Sequence, residues 1–258
     1  MPHPAPDCNT MADVENPGMW DAGELIAALC RGLTERAQAL DAENAVAGLD
    51  SLPEIDLHPI LENSLAAGGL GVFREVPYPG RPRRRPAHRE RERCDLVLTH
   101  NPQEPPADPV IELKEQDKAA GTLFEPLAAD IAGAPATPID RCYWLEVKVV
   151  GQFTYTEGLP GPNRTYASEL TRGPASDLAK LARDGRIVHA GVLLVLFTAD
   201  RSTAEHDLAV TVHRMLDRDL PIATPSVESF PINDRIGNTV CTAALLPLRA
   251  VRGSDEAR

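Results

Sequence analysis

Several absences in the sequence narrow its function before any motif is considered. The five cysteines (Cys8, Cys30, Cys94, Cys142 and Cys241) form no CxxC pair and no metal-finger spacing, and their number is odd. This pattern favours free thiols and a reduced compartment. No apolar run approaches the roughly 20 residues of a membrane-spanning helix, and the first residues lack the basic and apolar regions of a signal peptide. We therefore expect a cytoplasmic protein with no membrane partner.

The motifs of several enzyme classes are also missing. The chain has no GxxxxGK[ST] phosphate loop, which argues against ATP hydrolysis, and it has no GxSxG nucleophile elbow and no HExxH helix. Its histidines, among them His58, His88, His100 and His189, show no ligand spacing. We expect each of them to be structural or exposed rather than a metal ligand.

Positive charge is scarce overall but concentrated in one segment. Lys and Arg number 26 against 38 Asp and Glu, giving a net charge of −12, which argues against wholesale coating of nucleic acid. Between Arg81 and Arg93, however, lie seven arginines and only two acids. Such a segment is either a solvated linker or a grip on phosphate backbones. The residues predicted to contact nucleic acid are Arg83, Arg84, Arg85, Arg89, Arg91 and Arg93.

The length of 258 residues and the hydrophobic content of 43% suffice for one domain with a full core. We expect a disordered tail over 1–18, a single domain over 19–248 with an insertion over 100–140, and a loose tail over 249–258. Hydrophobic periodicity predicts helices and strands in alternation, an α/β pattern. The helices are expected near 20–45, 57–67, 176–183 and 202–216, the strands near 71–76, 93–99, 142–150, 188–197 and 239–248, and a loop over 151–173.

The predicted strand over 142–150 is apolar except for two charges, Glu146 and Lys148. Alternate side chains of a strand share a face, so these two project together while Leu145, Val147 and Val149 point the other way. A structural ion pair is one interpretation. The other depends on the strand over 93–99, where Asp95 begins a second apolar run. Two carboxylates with a Lys beside one of them suit a hard divalent cation and phosphoryl chemistry.

Three further positions remain open. Glu62 lies on the predicted helix over 57–67, where a solvated surface residue is the ordinary interpretation. Glu112 and Lys114 repeat the Glu-x-Lys spacing, but their apolar run is short and a helix or exposed segment suits it better. Gln152 and Lys180 are candidates for contacts with substrate or with ligand waters, although such residues are usually solvated.

The order of these elements and charges resembles the PD-(D/E)xK nuclease superfamily over roughly residues 57–200. The matching residues are Glu62 on an early helix, Asp95 on the second strand and Glu146-Val147-Lys148 on the third. The sequence departs from the family pattern in having Arg93-Cys94 before Asp95, where a Pro is often found. The interval of about fifty residues between the two acids is also long.

The resemblance implies a restriction-endonuclease-like fold: a mixed central sheet flanked by helices, with an α-β-β-β-α-β core and an N-terminal helical extension. It further implies that Asp95 and Glu146 hold Mg²⁺ or Mn²⁺, that Glu62 supports a water or second ion, and that Lys148 orients the attacking water. We therefore expect a nuclease acting on DNA more than RNA, with a homodimer or partner protein supplying substrate grip. The alternative is an inactive scaffold of the same fold that binds nucleic acid or protein.

Overall fold

The computed structural model describes residues 20–80, 92–108 and 135–249. The helices in these ranges are α1 Ala22–Ala42, α2 Glu54–Ala67, α3 Tyr166–Ala182 and α4 Arg201–Leu216. The strands are β1 Gly71–Pro77, β2 Arg93–Thr99, β3 Tyr143–Gly151, β4 Phe153–Thr156, β5 Leu159–Pro162, β6 His189–Thr198, β7 Ser226–Pro231 and β8 Val240–Pro247. The predicted tails, the arginine segment before residue 92, Glu112, Lys114 and most of the predicted insertion lie outside the described residues.

Six of the strands form one mixed sheet in the order β1-β2-β3-β6-β8-β7, and β4 and β5 form a separate hairpin. Only β3 and β6 pair in parallel within this sheet, and α3 lies between them in sequence. All other neighbours pair antiparallel. The prediction of a mixed α/β architecture with a central sheet and flanking helices is confirmed. Every helix in the described ranges is too short or too polar to span a bilayer.

The alternation predicted for the third strand is confirmed by its two faces. Tyr143, Leu145 and Val147 pack in the core that contains the apolar residues of α1 and α2. Trp144 and Val150 pack in the second core, against α3 and α4. Burial on both faces explains why β3 is so rich in Val and Leu. Glu146 therefore lies on a largely apolar sheet face that it shares with Lys148, and it is only 3% exposed.

The pairing between β2 and β3 is short, and this positions the candidate site. The two strands pair only from Leu96 with Leu145 to Leu98 with Tyr143. Beyond Leu145, β3 continues for six residues whose edge on that side has no strand partner among the described residues. Unpaired backbone N–H groups at such an edge need other acceptors. The side chains that supply them define the site.

The sequence prediction was wrong over residues 151–173. The expected loop contains the β4–β5 hairpin, whose turn residues Glu157 and Gly158 both have positive φ, as a type I′ turn requires. Helix α3 begins at Tyr166, ten residues before the expected start, and continues through Pro174. Burial of Leu170 and Thr171 stabilises the turn before that proline. Strand β7 was also missed, because its alternation is weak.

Candidate active site

Two carboxylates from neighbouring elements bind backbone N–H groups at the open edge of β3, the edge beyond Leu145 where β2 no longer pairs with it. The backbone N–H of Val147 donates to Asp95 Oδ2 at 2.7 Å, and the N–H of Val149 donates to Glu54 Oε2 at 3.3 Å. Asp95 comes from β2, one residue before that strand begins to pair with β3 at Leu96. Glu54 is the first residue of α2, where a carboxylate is favoured by the helix dipole. Both acids are therefore held in place by the backbone of one strand.

Lys148 lies between carboxylates of two helices. Its Nζ is 3.2 Å from Glu54 Oε1 and 3.5 Å from Asp177 Oδ2. Burial alone would lower the pKa of Lys148, but the charges of Asp177 and Glu54 outweigh it and raise the pKa, so the ammonium group stays protonated. The side-chain stem passes under Gly173 of α3, where an added Cβ would be 3.3 Å from Lys148 Cδ. The position of Lys148 is thus fixed by contacts at both ends.

Glu146 is bound by a second set of groups on the same face of the sheet. Its Oε1 accepts hydrogen bonds from Tyr78 Oη and from Lys180 Nζ, the latter at 2.8 Å. Lys180 is also 3.7 Å from Asp177, and it lies over the Tyr78 ring. Burial raises the pKa of Glu146, and the nearby charge of Asp95 adds to that effect against the opposing bonds from Lys180 and Tyr78. Glu146 is consequently a buried acid with one cationic partner.

Asp95 and Glu146 are coupled through their charges. Burial raises the pKa of Asp95, while the hydrogen bond from the N–H of Val147 opposes the shift, and the charge of Asp95 adds to the raised pKa of Glu146. Both acids ionise more readily when a cation removes this repulsion. The pKa of Asp177 is likewise raised by burial, although Lys148 and Lys180 oppose this. The protein therefore concentrates acids where, without a cation, full ionisation is unfavourable.

We call these six residues the acid–lysine cluster: Glu54, Asp95, Glu146, Asp177, Lys148 and Lys180. Four carboxylates and two ammonium groups give the cluster a formal charge of −2 when all six are ionised. That excess equals the charge of one divalent cation. Oxygen ligands in this number suit Mg²⁺, Mn²⁺ or Ca²⁺.

A buried histidine adjoins the cluster. His58 lies one turn after Glu54 on α2 and is 2% exposed. One ligand atom from each of Glu54, His58 and Asp95 lies within 4.8 Å of the other two. Neither ring nitrogen of His58 has a hydrogen-bond partner among the described residues. Burial lowers the pKa of His58, so the neutral ring carries a nitrogen lone pair.

The structure brings together three of the four residues predicted to be catalytic. Asp95, Glu146 and Lys148 all belong to the cluster, whereas Glu62 pairs with Arg74 at 3.9 Å and is about a third exposed. Glu62 lines a separate cavity of about 450 Å³ beside β1. Its place near the cluster is taken by Glu54, eight residues earlier on α2. Glu62 therefore contacts a different set of residues from the other three.

The remaining predicted residues have varied surroundings. Exposed Arg93 donates to the carbonyl of Glu75 at 3.2 Å, whereas Arg83, Arg84, Arg85, Arg89 and Arg91 lie outside the described residues. Gln152 accepts the N–H of Ala199 at 2.9 Å and thereby joins two loops. Lys180, considered only in passing from the sequence, binds Glu146.

Several residues of the site were missed by the sequence analysis. Glu54 and His58 are four residues apart on one helix, and Asp177 and Lys180 are three apart on another, spacings that place each pair on one helical face. This signal was available, but such pairs are common on solvated helices. Tyr78 gave no sequence signal, because it lies in an irregular segment after β1.

Comparisons with protein-family models, with curated proteins and with solved structures returned no match to this chain. Its architecture and its candidate site are therefore interpreted from its own residues.

Proposed function

We propose that this protein is a divalent-metal-dependent nuclease that hydrolyses phosphodiester bonds, with DNA favoured over RNA by the resemblance to the PD-(D/E)xK superfamily. The observation that carries the proposal is the acid–lysine cluster at the open edge of β3. It joins Asp95, Glu146 and Lys148, three residues predicted from the sequence to act together, in an arrangement with an excess charge of −2.

The residues present fit a divalent cation by two criteria. The excess charge is of the right size, and the charge of Asp95 raises the pKa of Glu146, a repulsion that a cation relieves. Asp95 and Glu146 would hold the ion, as the resemblance implies, and Glu54 is the acid of α2 that lies within 4.8 Å of Asp95. When bound, such an ion supplies positive charge opposite a phosphate and makes water more acidic.

The protein's own groups would position substrate and water around that ion. Lys148 presents an ammonium group that can bind a phosphate oxygen or orient a water, and Glu54 and Asp177 restrict its movement. Lys180 and Tyr78 fix one oxygen of Glu146. Phosphoryl transfer requires little more than such positioning and charge stabilisation.

Substrate binding would come from groups around the cluster, because the body of the protein is acidic. Arg93 is exposed two residues before Asp95 and ends the arginine segment, so a phosphate backbone held by that segment would lead into the site. A second copy of the chain or a partner protein would add further contacts.

The direct test is cleavage of plasmid DNA, single-stranded DNA and RNA by the full chain in EDTA, Mg²⁺ and Mn²⁺. We expect metal-dependent cleavage that is lost in Lys148→Met with metal binding retained, and a loss of both in Asp95→Asn. Glu62→Gln is the matched control and should cleave normally. Full cleavage activity in Lys148→Met would refute the assignment of the site. Loss of cleavage in Glu112→Ala or Lys114→Ala would move the site to the other Glu-x-Lys pair.

A second candidate function is a scaffold that binds nucleic acid or protein without turnover. It is favoured by the ion pairs of the two lysines. Lys148 pairs with Glu54 and Asp177, and Lys180 pairs with Glu146. Each lysine already has an acidic partner, as in a purely structural network of ion pairs. Binding of DNA with unchanged affinity in EDTA, and with no cleavage in either metal, would establish this alternative.

A further inference from the structure

We propose that Glu54, His58 and Asp95 form a metal site whose histidine ligand makes it selective for a first-row transition ion, of which Mn²⁺ is the representative, over Mg²⁺. This assignment deepens the proposed function and rests on it only for the use of the metal in cleavage. Binding of the metal is a separate property and is tested separately. The sequence analysis predicted oxygen ligands alone and treated His58 as structural.

The position of His58 favours a metal ligand. It is almost completely buried, at 2% exposure, and one of its ring nitrogens lies within 4.8 Å of oxygens from two acids. Buried imidazoles normally have a hydrogen-bond partner. Both nitrogens of His58 lack one among the described residues, although the carboxylates of Glu54 and Asp95 are close enough for a small movement to reach them. A cation between the three groups would satisfy the nitrogen and both acids together.

The two acids are already held in place. Their carboxylates accept the N–H groups of Val147 and Val149, which are alternate residues on one edge of β3. Glu54 and His58 are successive on one face of α2, four residues apart. The three ligands therefore come from two rigid elements, and their relative positions are set by the packing of α2 against the sheet.

The three ligand atoms are close enough for one ion to draw them together. They lie within 4.8 Å of one another, whereas ligands about 2.1 Å from one ion are about 3.0 Å apart when adjacent in an octahedron and about 4.2 Å apart when opposite. Binding therefore requires the three side chains to move inward. Lys148, now 3.2 Å from Glu54, would remain beside the ion as a second positive group.

The histidine ligand determines which metal the site prefers. Mg²⁺ prefers oxygen ligands and water, whereas imidazole nitrogen binds more strongly to Mn²⁺, Fe²⁺, Co²⁺ and Zn²⁺. A neutral histidine beside two carboxylate ligands favours these ions, which the carboxylates also bind. Burial lowers the pKa of His58, which agrees with the geometry of the site.

The experiment begins with the wild-type chain and no mutation. Pulsed electron paramagnetic resonance of the Mn²⁺-loaded protein, prepared with natural-abundance and with ¹⁵N-labelled histidine, shows whether a histidine nitrogen is bound to the ion. We expect a nitrogen coupling that changes with the label. Specific Mn²⁺ binding without this coupling, or no specific binding at all, would overturn the proposal even if the protein cleaves DNA with Mg²⁺.

Calorimetric titrations with Mn²⁺ and Mg²⁺ then assign the nitrogen. In His58→Gln, which offers an amide oxygen in a similar position, the ratio of Mn²⁺ to Mg²⁺ affinity should fall about tenfold or more. The matched control is His189→Gln, since His189 is a partly buried histidine whose pKa is likewise lowered by burial, but which lies at the other end of the β3–β6 pairing. An unchanged ratio in His58→Gln, or an equal fall in both variants, would overturn the proposal.

The outcomes separate this inference from the proposed function. A histidine coupling that is absent in His58→Gln, in a protein that cleaves no nucleic acid, supports the metal site and refutes the nuclease. Cleavage with Mg²⁺ in a protein without the coupling supports the nuclease and refutes the histidine ligand. If His58→Gln fails to fold, the label-dependent coupling in the wild type is compared with that of His189→Gln. Persistence of the coupling in His189→Gln supports the proposal, and its loss in that variant refutes the proposal.

Discussion

Replacing Asp95 with Asn should stabilise the metal-free protein while abolishing its stabilisation by metal. The substitution preserves shape, and the amide oxygen can still accept the N–H of Val147. It removes one of the four negative charges of the acid–lysine cluster. Because the cluster carries a formal excess of two negative charges, the loss of one relieves repulsion when no cation is bound.

The size of this effect follows from the separation of the charges. An Asp95 oxygen lies within 4.8 Å of a Glu54 oxygen, and two unit charges at that distance repel by about 3.5 kcal/mol at an effective dielectric constant of about 20. Attraction to Lys148 and the one-third exposure of Glu54 offset most of this. We expect Asp95→Asn to raise the free energy of unfolding in EDTA by about 1 kcal/mol, or about 2–4 °C in Tm for a chain of this size.

Metal should reverse the order of stability. A ligand at about 100 times its Kd stabilises the folded state by about 2.7 kcal/mol, and we expect this gain only in the wild type. The variant should then have the higher Tm in EDTA and the lower Tm in saturating Mn²⁺. Thermal unfolding followed by circular dichroism in both conditions is the assay, with Glu62→Gln as a control that alters neither value by much.

The pH dependence of unfolding provides a further check on the sign of the stability difference between Asp95→Asn and the wild type. Burial raises the pKa values of Asp95, Glu146 and Asp177 in the folded protein above their ordinary values. The folded state therefore binds protons more tightly, and the metal-free wild type loses stability as pH rises from the ordinary carboxyl pKa through the raised values. The advantage of Asp95→Asn should grow across that range and vanish below it. A variant that is less stable than the wild type in EDTA at pH 7 would refute the reasoning, because Asp95 would then act as a net stabilising partner.

Three other substitutions test parts of the structure. Lys148→Met should reduce kcat by at least a hundredfold while Mn²⁺ affinity in calorimetry changes by less than about tenfold; an equal loss of both would mean that Lys148 only supports the ligands. Gly173→Ala should lower kcat, because the new Cβ at 3.3 Å displaces the Lys148 stem; unchanged turnover would contradict this. Asn238→Ala should cost about 2–3 kcal/mol in chemical denaturation, since its buried amide donates to Asp50 and to the carbonyl of Phe153; a neutral result would exclude that role.

Local pattern was sufficient to predict much of the sheet and three residues of the candidate site. The alternation in β3 is a property of nine consecutive residues, so it identified the strand, its two faces and the shared side of Glu146 and Lys148. Asp95 was found for the same reason, as an acid at the start of an apolar run. Strands β2 and β6 matched their predicted positions within one or two residues. Each of these inferences needed only neighbours in sequence.

Residues contributed by helices could not be chosen in this way. Glu54, His58 and Glu62 lie on one side of α2 at intervals of four residues, and periodicity cannot say which turn adjoins the sheet. Glu54 and Glu62 are about 12 Å apart along the helix axis at the standard rise. The helix begins at Glu54 rather than near Leu57, so its first turn reaches the open edge of β3 while the predicted Glu62 lies two turns further along.

The point at which β2 and β3 separate is the feature that unites the fold with the site. An uninterrupted pairing would place β2 backbone carbonyls opposite Val147 and Val149, and no side chain would be needed there. Since the pairing stops at Leu96 and Leu145, the N–H groups of Val147 and Val149 bind carboxylates instead. Two acids therefore lie together at one edge of a buried strand. The negative charge of the acid–lysine cluster attracts Lys148 and Lys180 but exceeds theirs by two. A strand ending of this kind depends on contacts between residues far apart in sequence, such as Leu96 with Leu145 and Glu54 with Val149. The charges in β3 could therefore be recognised as unusual from the sequence, while their partners could not be named.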